Sequence, residues 1–465
     1  MRCTHLRQYA ALLPSSLRHV ARSRRLDQTP FSADIVDLTH DGRGVARLPD
    51  GKAVFVAGAL PGEQVMAMRT ARSRHFDEAT TLEVVSASPH RVIPRCPHFG
   101  VCGGCVLQHL DADQQILAKA RVLRENFERI GHVTPQRWME PIVDRAWNYR
   151  RKGRFSVKRV DKKDRTLVGF RERDPRFVAD LRECHTVIEP IAAIIPLLSG
   201  LIDGLEARAT IPQIEFIAGD PRPEFDGIAL VFRHLQPLSD TDASALLAFG
   251  QAQRMAIFLQ PGGVDSVHAL WPAAPALSFR LEDWDVELGF RPLDFIQVNA
   301  GLNRTMIART LELLDVQPED RVLDLFCGLG NFTLPLARRV REVVGVEGEA
   351  GLVARAKENA LRNGLANAQF HAADLTQDQR GAPWMRQGFD KLLLDPPRSG
   401  AIDVLRQLPL ERFGRIVYVS CHPASLARDA GYLVNERGWT LSEAGVMDMF
   451  PQTAHVESIA LFEKR

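Results

Sequence analysis

Short apolar runs separated by turn residues follow residue 29. Four runs have strand-like lengths, at residues 35–36, 44–46, 53–56 and 65–68. Turn signals lie between them, at Asp41-Gly42, Asp50-Gly51 and Pro61-Gly62. Strands at this spacing predict a small β-barrel over residues 30–88. A basic loop is expected near its end, with the members Arg69, Arg72, Arg74 and His75.

The pattern then changes twice before residue 290. Apolar positions between residues 107 and 130 recur at helical spacing and predict a helix. Residues 147–182 return to β-like pieces with a dense positive charge, and Phe155 and Phe170 lie among the cations. Basic residues with interleaved aromatic side chains indicate a nucleic-acid face, although an ordinary solvated surface is the alternative. Residues 190–290 are a mixture of helix and strand.

From residue 300 onward helices and strands alternate. Helices are predicted at residues 303–314 and 350–363. Strands are predicted at residues 321–325, 343–346, 391–394, 416–419 and 458–462. Alternation of this kind predicts a doubly wound, mostly parallel α/β sheet.

Composition adds a charge asymmetry to this picture. The whole chain has 465 residues and a net charge of +2. Residues 1–184 hold 33 Lys and Arg against 21 Asp and Glu, a net of +12, so the remainder carries −10. We therefore expect the first part to meet a polyanion. Residues 1–29 are rich in arginine; we interpret them as a disordered basic tail, with a transit peptide or a mis-assigned start as alternatives.

Two classes of protein fit the composition poorly. No apolar run reaches the roughly 18 residues that a membrane span needs, so no membrane partner is expected. Seven cysteines in 465 residues do not make a secreted disulfide scaffold. Three of them lie between residues 96 and 105, which points to a metal or a cluster in a cytoplasmic protein.

The clearest motif is a strand that ends in a glycine turn, at residues 322–334. Gly328 and Gly330 allow a tight turn and close approach of a ligand. Glu347 lies at the end of the next strand, where its carboxylate can bind both hydroxyls of a ribose. The third glycine of a dinucleotide fingerprint is absent, so a nucleoside cofactor fits better than NAD.

This pattern resembles the class I S-adenosylmethionine-dependent methyltransferases. Asp374 matches the position that contacts adenine in that fold, and Asp395 matches the acid after the fourth strand. Asp395 opens the sequence Asp-Pro-Pro-Arg, in which Arg398 stands where enzymes that methylate exocyclic amines carry an aromatic residue. A different activation of the substrate is therefore expected.

Cys421 supplies a candidate for that activation. It lies at a strand end, before Pro423, although a buried structural cysteine is the common alternative. A thiolate that adds to C6 of uracil makes C5 nucleophilic enough to take a methyl group. A base must then remove the C5 proton, and Glu457 is the best candidate, with a surface glutamate as its alternative.

The order of motifs resembles the RNA uracil-C5 methyltransferases. It runs through Phe295-Ile-Gln-Val-Asn, the glycine turn, Asp-Pro-Pro-Arg, Ser-Cys-x-Pro and His-Val-Glu. The resemblance implies Cys421 as nucleophile and Glu457 as base. It also implies a set of residues around S-adenosylmethionine: Gln297, Phe326, Asn331, Glu347, Asp374 and Asp395. His422 departs from the usual Asn, and if protonated it would lower the thiol pKa.

The clustered cysteines have the spacing C-x5-C-x2-C, at Cys96, Cys102 and Cys105, and Cys184 follows. Four thiolates suit either zinc or a four-iron, four-sulfur (4Fe-4S) cluster, and spacing alone does not choose. Within the family, Cys-Gly-Gly-Cys followed by Gln108-His109 resembles the iron–sulfur branch that acts on 23S ribosomal RNA. That resemblance implies a 4Fe-4S cluster, and residues 42–46 and 59–63 resemble the RNA-binding TRAM barrel.

The resemblance therefore implies four regions. They are a basic tail at 1–29, an OB-like TRAM β-barrel at 30–88, a central iron–sulfur α+β domain at 89–290, and a Rossmann-like class I methyltransferase domain at 291–465. The implied function is C5-methylation of one uridine, of the domain IV type, in 23S ribosomal RNA by a cytoplasmic, monomeric enzyme that binds no DNA.

Three alternatives accompany this reading. The first is another RNA uridine, elsewhere on 23S RNA or in the transfer RNA T-loop. The second is a non-catalytic iron–sulfur RNA-binding protein. A radical methylthiotransferase is disfavoured, because that class needs C-x3-C-x2-C and five residues separate Cys96 from Cys102.

Overall fold

A computed structural model describes residues 27–39 and 41–464. Contacts within it divide the chain into two compact units, which are described separately. The first comprises described residues up to Ser88, apart from 41–42, and the second continues from Pro89. Most of the predicted basic tail at residues 1–29 lies outside the described residues, and the boundary at residue 290 remains a prediction.

The first unit is one six-stranded sheet. Its strands are β1 (Phe31–Asp34), β2 (Asp37–Leu38), β3 (Gly44–Arg47), β4 (Ala53–Ala57), β5 (Gln64–Arg72) and β6 (Phe76–Ser86). The order across the sheet is β1-β5-β6-β4-β3-β2, and the pairs are antiparallel except β4 with β6. Alternate residues such as Val54, Val56 and Val65 fill a small apolar core because successive side chains of a strand point to opposite faces.

Two sequence predictions for this unit were wrong in detail. Residues 35–36 separate β1 from β2 instead of forming a strand. Arg69 and Arg72 belong to β5, and only Arg74 and His75 lie in the turn, because β5 and β6 form a long hairpin. Within β5, Arg69 reaches the buried carboxylate of Asp77 at 3.2 Å, and Lys52 reaches the same carboxylate at 2.5 Å.

The second unit contains the described helices. They are α1 (Ala112–Asn126), α2 (Glu189–Asp203), α3 (Asp240–Gln253), α4 (Ala300–Leu314), α5 (Thr333–Ala337), α6 (Ala350–Arg362), α7 (Ile402–Leu405) and α8 (Pro423–Gly431). The helix predicted at residues 107–130 is shorter than expected: α1 begins after the N-cap Asp111 and passes into a π-helical turn at Phe127–Gly131.

The strands of the second unit form two large sheets and a hairpin. They are β7 (Arg137–Trp138), β8 (Lys152–Val160), β9 (Arg165–Gly169), β10 (Gln213–Ala218), β11 (Ile228–Arg233), β12 (Ala256–Gln260), β13 (His268–Trp271), β14 (Ser278–Leu281), β15 (Val286–Gly289), β16 (Arg321–Leu325), β17 (Glu342–Glu347), β18 (Ala368–Ala372), β19 (Lys391–Leu394), β20 (Arg415–Ser420), β21 (Trp439–Met447) and β22 (Glu457–Lys464). The central sheet has the order β13-β12-β11-β10-β8-β9, and β14 pairs with β15.

The large sheet has the order β18-β17-β16-β19-β20-β22-β21-β7. Strands β16 to β20 run parallel, while β22 inserts antiparallel between β20 and β21. Val322, Leu323 and Leu325 of β16 are fully buried, as expected for a parallel strand covered on both faces. The predicted doubly wound sheet is therefore confirmed. No strand range was predicted for β18 or β21, and β7 joins the sheet from the predicted central region.

Parallel strands that run side by side end at one edge of the sheet. The carboxyl ends of β16, β17, β19 and β20 meet there, so the residues that follow each strand face a common crevice. Across the described part of the chain, no helix is long and apolar enough to cross a membrane.

Candidate active site and cysteine segment

The glycine turn after β16 has an unusual backbone. Phe326, Gly328 and Gly330 have φ angles of 65°, 55° and 96°. A side chain at Gly330 would press on Leu334 at 3.1 Å, whereas one at Gly328 would meet nothing within 4 Å. The turn is therefore packed closely against the protein at Gly330. At Gly328 it leaves open space, so a ligand can approach the backbone there.

Glu347 lies beside this turn at the end of β17. Its carboxylate accepts hydrogen bonds from the backbone N–H groups of Gly328 and Glu349, both at 3.1 Å. These bonds fix a partly exposed carboxylate at the edge of the crevice. Its position agrees with the predicted role as acceptor for ribose hydroxyls.

Two further carboxyl groups lie near Glu347. Burial raises the pKa of Asp395 to about 7, and the charge of Glu347 adds to the shift. Asp324 has no exposed surface; burial, together with the charges of Asp395 and Glu347, raises its pKa to about 8. Its Oδ2 accepts a hydrogen bond from Thr333 Oγ1 at 2.6 Å. A ligand that carries positive charge near Glu347 and Asp395 would relieve this repulsion, so the crevice suits such a ligand.

Asp324 was not among the predicted site residues. The signal was present, since an acid interrupts the apolar run Val-Leu-Asp-Leu of β16. Only the fold reveals that this acid lies near Glu347 and Asp395, because those residues follow two other strands.

The remaining predicted cofactor residues differ in their local contacts. The side chains of Asn331 and Asn303 exchange two hydrogen bonds of 2.9 Å. The carbonyl of Gln297 accepts from Arg151 Nε at 2.9 Å. Asp374 is exposed, and its carboxylate accepts from the N–H and hydroxyl of Thr376, which lowers its pKa.

Cys421 and Glu457 are brought together by the sheet. Cys421 follows β20 and Glu457 begins β22, and the two strands pair with Ser420 opposite Ser458. The residue after Ser420 and the residue before Ser458 therefore lie next to each other at the crevice edge. This pairing joins two residues that are 36 positions apart in sequence.

Electrostatic effects connect the two groups. Burial, then the charges of Glu457 and Asp395, raise the pKa of Cys421 to about 11, and Arg398 opposes the shift. Burial and the charge of Asp395 raise the pKa of Glu457 to about 8, against the effects of Arg398 and Lys119. Glu457 is 8% exposed, so this carboxyl is shielded from water and ready to exchange a proton near neutral pH.

The structure gives no support to the expected effect of His422 on the thiol. His422 is the N-cap of α8, and its Nδ1 accepts from the N–H of Ser425 at 3.3 Å. A ring nitrogen that accepts a hydrogen bond carries no proton. The pKa of Cys421 is also raised rather than lowered. His422 therefore caps α8, directly after Cys421.

Arg398, which in the sequence is only a replacement for an aromatic residue, contributes a cation to the crevice. Its Nη2 lies 3.3 Å from Nδ1 of His455, and its charge acts on both Cys421 and Glu457. Partial burial and the charges of Arg398, Arg150 and Lys119 lower the pKa of His455. Neutral His455 and cationic Arg398 thus flank the crevice.

The four predicted cluster cysteines interact although Cys184 is distant in sequence. Burial raises the pKa of Cys102 to about 11 and that of Cys105 to about 12, and the charges of Cys184 and the other thiols add to both shifts. Hereafter, residues 96–109 are called the cysteine segment. Among the described residues, no group of three or more His, Cys, Asp or Glu has the arrangement of a metal site.

Polar groups surround these sulfur atoms. The N–H of Gly104 donates to Cys102 Sγ at 3.4 Å. Gln108 accepts from the N–H of Cys96 at 3.1 Å, and its side chain also hydrogen bonds with the Cys105 thiol. Thr186 Oγ1 lies 3.3 Å from Cys184 Sγ. Donors of this kind stabilise thiolates and tune bound metals, so these polar groups suit thiolate ligands, although the described cysteines do not have the arrangement of a metal site.

Comparisons with protein families match two parts of the chain. The family described as tRNA (uracil-5-)-methyltransferase matches residues 278–465, and the TRAM domain matches residues 31–67.

Curated relatives match almost the whole chain. The 23S rRNA (uracil(1939)-C(5))-methyltransferase of Xanthomonas campestris pv. campestris is 72% identical over 449 residues, which cover 96% of this chain and all of the relative. The protein of the same name from Stenotrophomonas maltophilia is 70% identical with the same coverage.

A solved structure shares the fold. The Pyrococcus abyssi tRNA (uracil-54, C5)-methyltransferase, crystallised with S-adenosyl-L-homocysteine, superposes with a TM-score of 0.71 and 24% identity. The match covers 93% of this chain and all of that one.

Proposed function

The chain belongs to the family of 23S rRNA (uracil(1939)-C(5))-methyltransferases, and from this premise we propose that Cys421 and Glu457 carry out its reaction. The reaction is S-adenosylmethionine-dependent methylation of C5 of uridine 1939 in 23S ribosomal RNA. The observation that carries the assignment is the pairing of β20 with β22, which sets a thiol beside a buried carboxyl group at the crevice.

Cys421 begins the reaction. The uracil must leave its stack to reach a thiol at the edge of a sheet. Once the thiol has lost its proton to solvent, the Cys421 thiolate bonds to C6, and the C5–C6 π electrons move toward O4 to give an enolate. In the free protein the thiol holds its proton at neutral pH. Because Asp395 is one cause of that high pKa, a cation beside Asp395 would favour the thiolate.

Glu457 ends the reaction. After C5 has been methylated, its carboxylate takes the C5 proton, the electron pair re-forms the enolate, and the enolate expels the Cys421 thiolate. Burial keeps water away from this proton transfer. A pKa of about 8 makes Glu457 a stronger base than an ordinary glutamate once it is ionised.

The crevice residues fit S-adenosylmethionine. Glu347 would bind the ribose hydroxyls beside the open face of Gly328. The other proposed contacts are Gln297, Phe326, Asn331, Asp374 and Asp395. When bound, S-adenosylmethionine supplies the electrophilic methyl group that C5 takes up. The carboxyl groups of Asp324, Glu347 and Asp395 suit its positive charges.

We further propose a 4Fe-4S cluster at Cys96, Cys102, Cys105 and Cys184. The mutual effects of the four thiols and the donors at Gly104 and Gln108 support a shared ligand. The cluster would fix the fold of the cysteine segment. A brown protein purified without oxygen is expected, and a colourless protein with one equivalent of zinc would contradict the cluster.

The partner and location follow from the proposed substrate. Dense positive charge in residues 150–182 supports binding to the RNA backbone, which predicts that affinity falls steeply with salt. We propose a cytoplasmic enzyme that acts on ribosomal RNA, without DNA as a substrate. We also propose that it acts as a monomer, since one chain supplies the nucleophile, the base and the cofactor acids.

RNA that carries 5-fluorouridine at the target tests the mechanism. Fluorine cannot be removed as a proton, so the wild-type enzyme with S-adenosylmethionine should form a covalent complex that survives denaturing electrophoresis. Cys421→Ala should form none and should lose methylation by about 10⁴-fold or more. A Cys421→Ala enzyme that still methylates would exclude the mechanism.

Mapping the modified nucleotide tests the substrate. RNA from a strain lacking this chain should lack 5-methyluridine at 1939, and expression of the chain should restore it. A missing methyl group at another 23S position or in transfer RNA would contradict the proposed uridine.

A further inference from the structure

A buried lysine of α1 contacts the loop that leads into the proposed base. Lys119 is 2% exposed, and its ammonium donates to Asp448 Oδ1 at 2.6 Å and to the carbonyl of Phe450 at 3.0 Å. Asp448 follows β21, and the loop of residues 448–456 ends directly before Glu457. We call these residues the base loop. A buried ion pair with an added hydrogen bond fixes two segments relative to each other.

The cysteine segment holds the same loop by separate contacts. The N–H groups of Val106 and Leu107 donate to the carbonyl of Gln452 at 3.0 and 3.1 Å. The side chain of Gln115 exchanges two hydrogen bonds of 3.0 Å with Gln452, one to its amide side chain and one from its backbone N–H. The base loop is therefore held immediately after Cys105 and again by α1.

Gln452 requires that support. Its φ is 69°, a left-handed conformation that costs a non-glycine residue free energy unless its surroundings impose it. Its backbone N–H and carbonyl are both bonded to the part of the chain between Val106 and Gln115. Strained residues of this kind occur where a loop must deliver a group to an active site.

Lys119 also acts on Glu457 through charge. The ammonium opposes the rise in the pKa of Glu457, and Glu457 in turn acts on Lys119. The other charged groups that act on Glu457 are Asp395 and Arg398. Of these groups, Arg398 contacts the base loop at His455, close to Glu457, whereas Lys119 binds the beginning of the loop at Asp448 and Phe450.

We propose that Lys119 is a positioning residue for Glu457 in the proton-abstraction step, and that Gln115 and the cysteine segment hold the same loop in place. The inference rests on the proposed roles of Cys421 and Glu457. Attack by Cys421 precedes proton abstraction, so loss of Lys119 should slow release of the RNA from the enzyme more than formation of the bond to C6.

The test uses the full chain and an RNA fragment of 23S ribosomal RNA with ordinary uridine at 1939. With S-adenosylmethionine, Lys119→Met should accumulate a methylated covalent complex on denaturing gels, while wild-type enzyme should not. Turnover should fall about 10- to 100-fold, and single-turnover methyl transfer should change less than 3-fold. Lys119→Arg should restore turnover because it keeps the cation.

Lys391→Met is the matched control. Lys391 is also a buried lysine, 8% exposed and 3.0 Å from Asp320, but it begins β19 at the end opposite to Asp395. It should lower stability without accumulating the complex. Asp448→Asn is the second variant, for use if Lys119→Met folds poorly. It weakens the ion pair that holds the Lys119 ammonium but keeps the ammonium itself. It should accumulate less of the covalent complex than Lys119→Met.

Glu457→Gln separates the inference from the mechanism on which it rests. If Glu457→Gln accumulates the complex and neither Lys119→Met nor Asp448→Asn does, Lys119 has no positioning role. If Glu457→Gln accumulates none and Cys421→Ala remains active, the proposed mechanism itself fails. Equal loss of methyl transfer and of release in Lys119→Met would also overturn the inference, because it would indicate a general structural defect.

Discussion

The cofactor crevice and the cysteine segment both gather residues from distant parts of the sequence, but the chain places them by different means. Glu347, Asp395 and Cys421 each follow or end a parallel strand, so the sheet aligns them. The cysteine segment has no helix or strand of its own. Hydrogen bonds to single groups, such as the carbonyl of Gln452, hold it in place.

This difference predicts different responses to substitution. A crevice residue can be replaced with little effect on stability, because the strands that carry it remain paired. A residue of the cysteine segment supports the local chain itself, so its loss should appear first as a loss of stability. The variants below test that contrast, from the largest expected effect to the smallest.

Cys102→Ser should give the largest loss of stability. Without one ligand the proposed cluster would be lost, and a cost of about 3 kcal/mol would lower Tm by roughly 6–12 °C for a domain of this size. The brown colour should disappear in anaerobic preparations. Cys327→Ser is the control, since Cys327 is as buried as Cys184 but belongs to the glycine turn, and it should stay brown.

Glu347→Ala should leave Tm almost unchanged and weaken cofactor binding. Loss of a charged acceptor for two hydroxyls costs about 1.5–3 kcal/mol, which raises Kd roughly 10- to 100-fold. Isothermal titration calorimetry with S-adenosyl-L-homocysteine measures this Kd. Glu349→Ala, which removes a neighbouring exposed acid, should change Kd less than 3-fold; equal effects of the two variants would argue against a ribose contact.

The crevice was largely predictable from the sequence. The regular strands that make it tolerant of substitution also make it visible in the sequence. Strand ends are visible as apolar runs that stop at Glu347, Asp395 and Cys421, and the parallel fold brings such ends together. The resemblance to a known family then supplied the proposed roles of these residues. Asp324 was not predicted as a site residue. Its hydrogen bond with Thr333 and its closeness to Glu347 and Asp395 become apparent only when β16 is seen between β17 and β19.

The connection between the cysteine segment and the base loop was not predictable in this way. Lys119 and Gln115 fall in a helix whose polar positions resemble an ordinary solvated face. Their partners Asp448 and Gln452 lie more than 300 residues away in an irregular loop. No periodicity relates a helix to a loop at that distance, so only the tertiary structure pairs them.

The pH dependence of stability reports on the buried carboxyl group of Glu457 in the crevice. The pKa of Glu457 is raised from its usual 4.5 to about 8, so between these values the folded protein keeps a proton that the unfolded chain releases. Stability should therefore fall as pH rises through this window, by at most about 1.4 kcal/mol per pH unit for this proton. Glu457→Gln should flatten that slope in denaturant titrations from pH 5 to 8, and an unchanged slope would mean that Glu457 is ionised throughout.

Asp374→Asn should have the smallest effect. Asp374 is exposed, and its carboxylate holds its own turn through Thr376, a bond that an amide oxygen also accepts. An amide oxygen can equally accept from an adenine amine, so Kd for S-adenosyl-L-homocysteine should rise less than 3-fold. Asp374→Ala removes both acceptors and should bind more weakly than Asp374→Asn. If the two variants bind S-adenosyl-L-homocysteine with the same Kd, the adenine does not contact Asp374. The cofactor-binding part of the crevice would then end at Glu347.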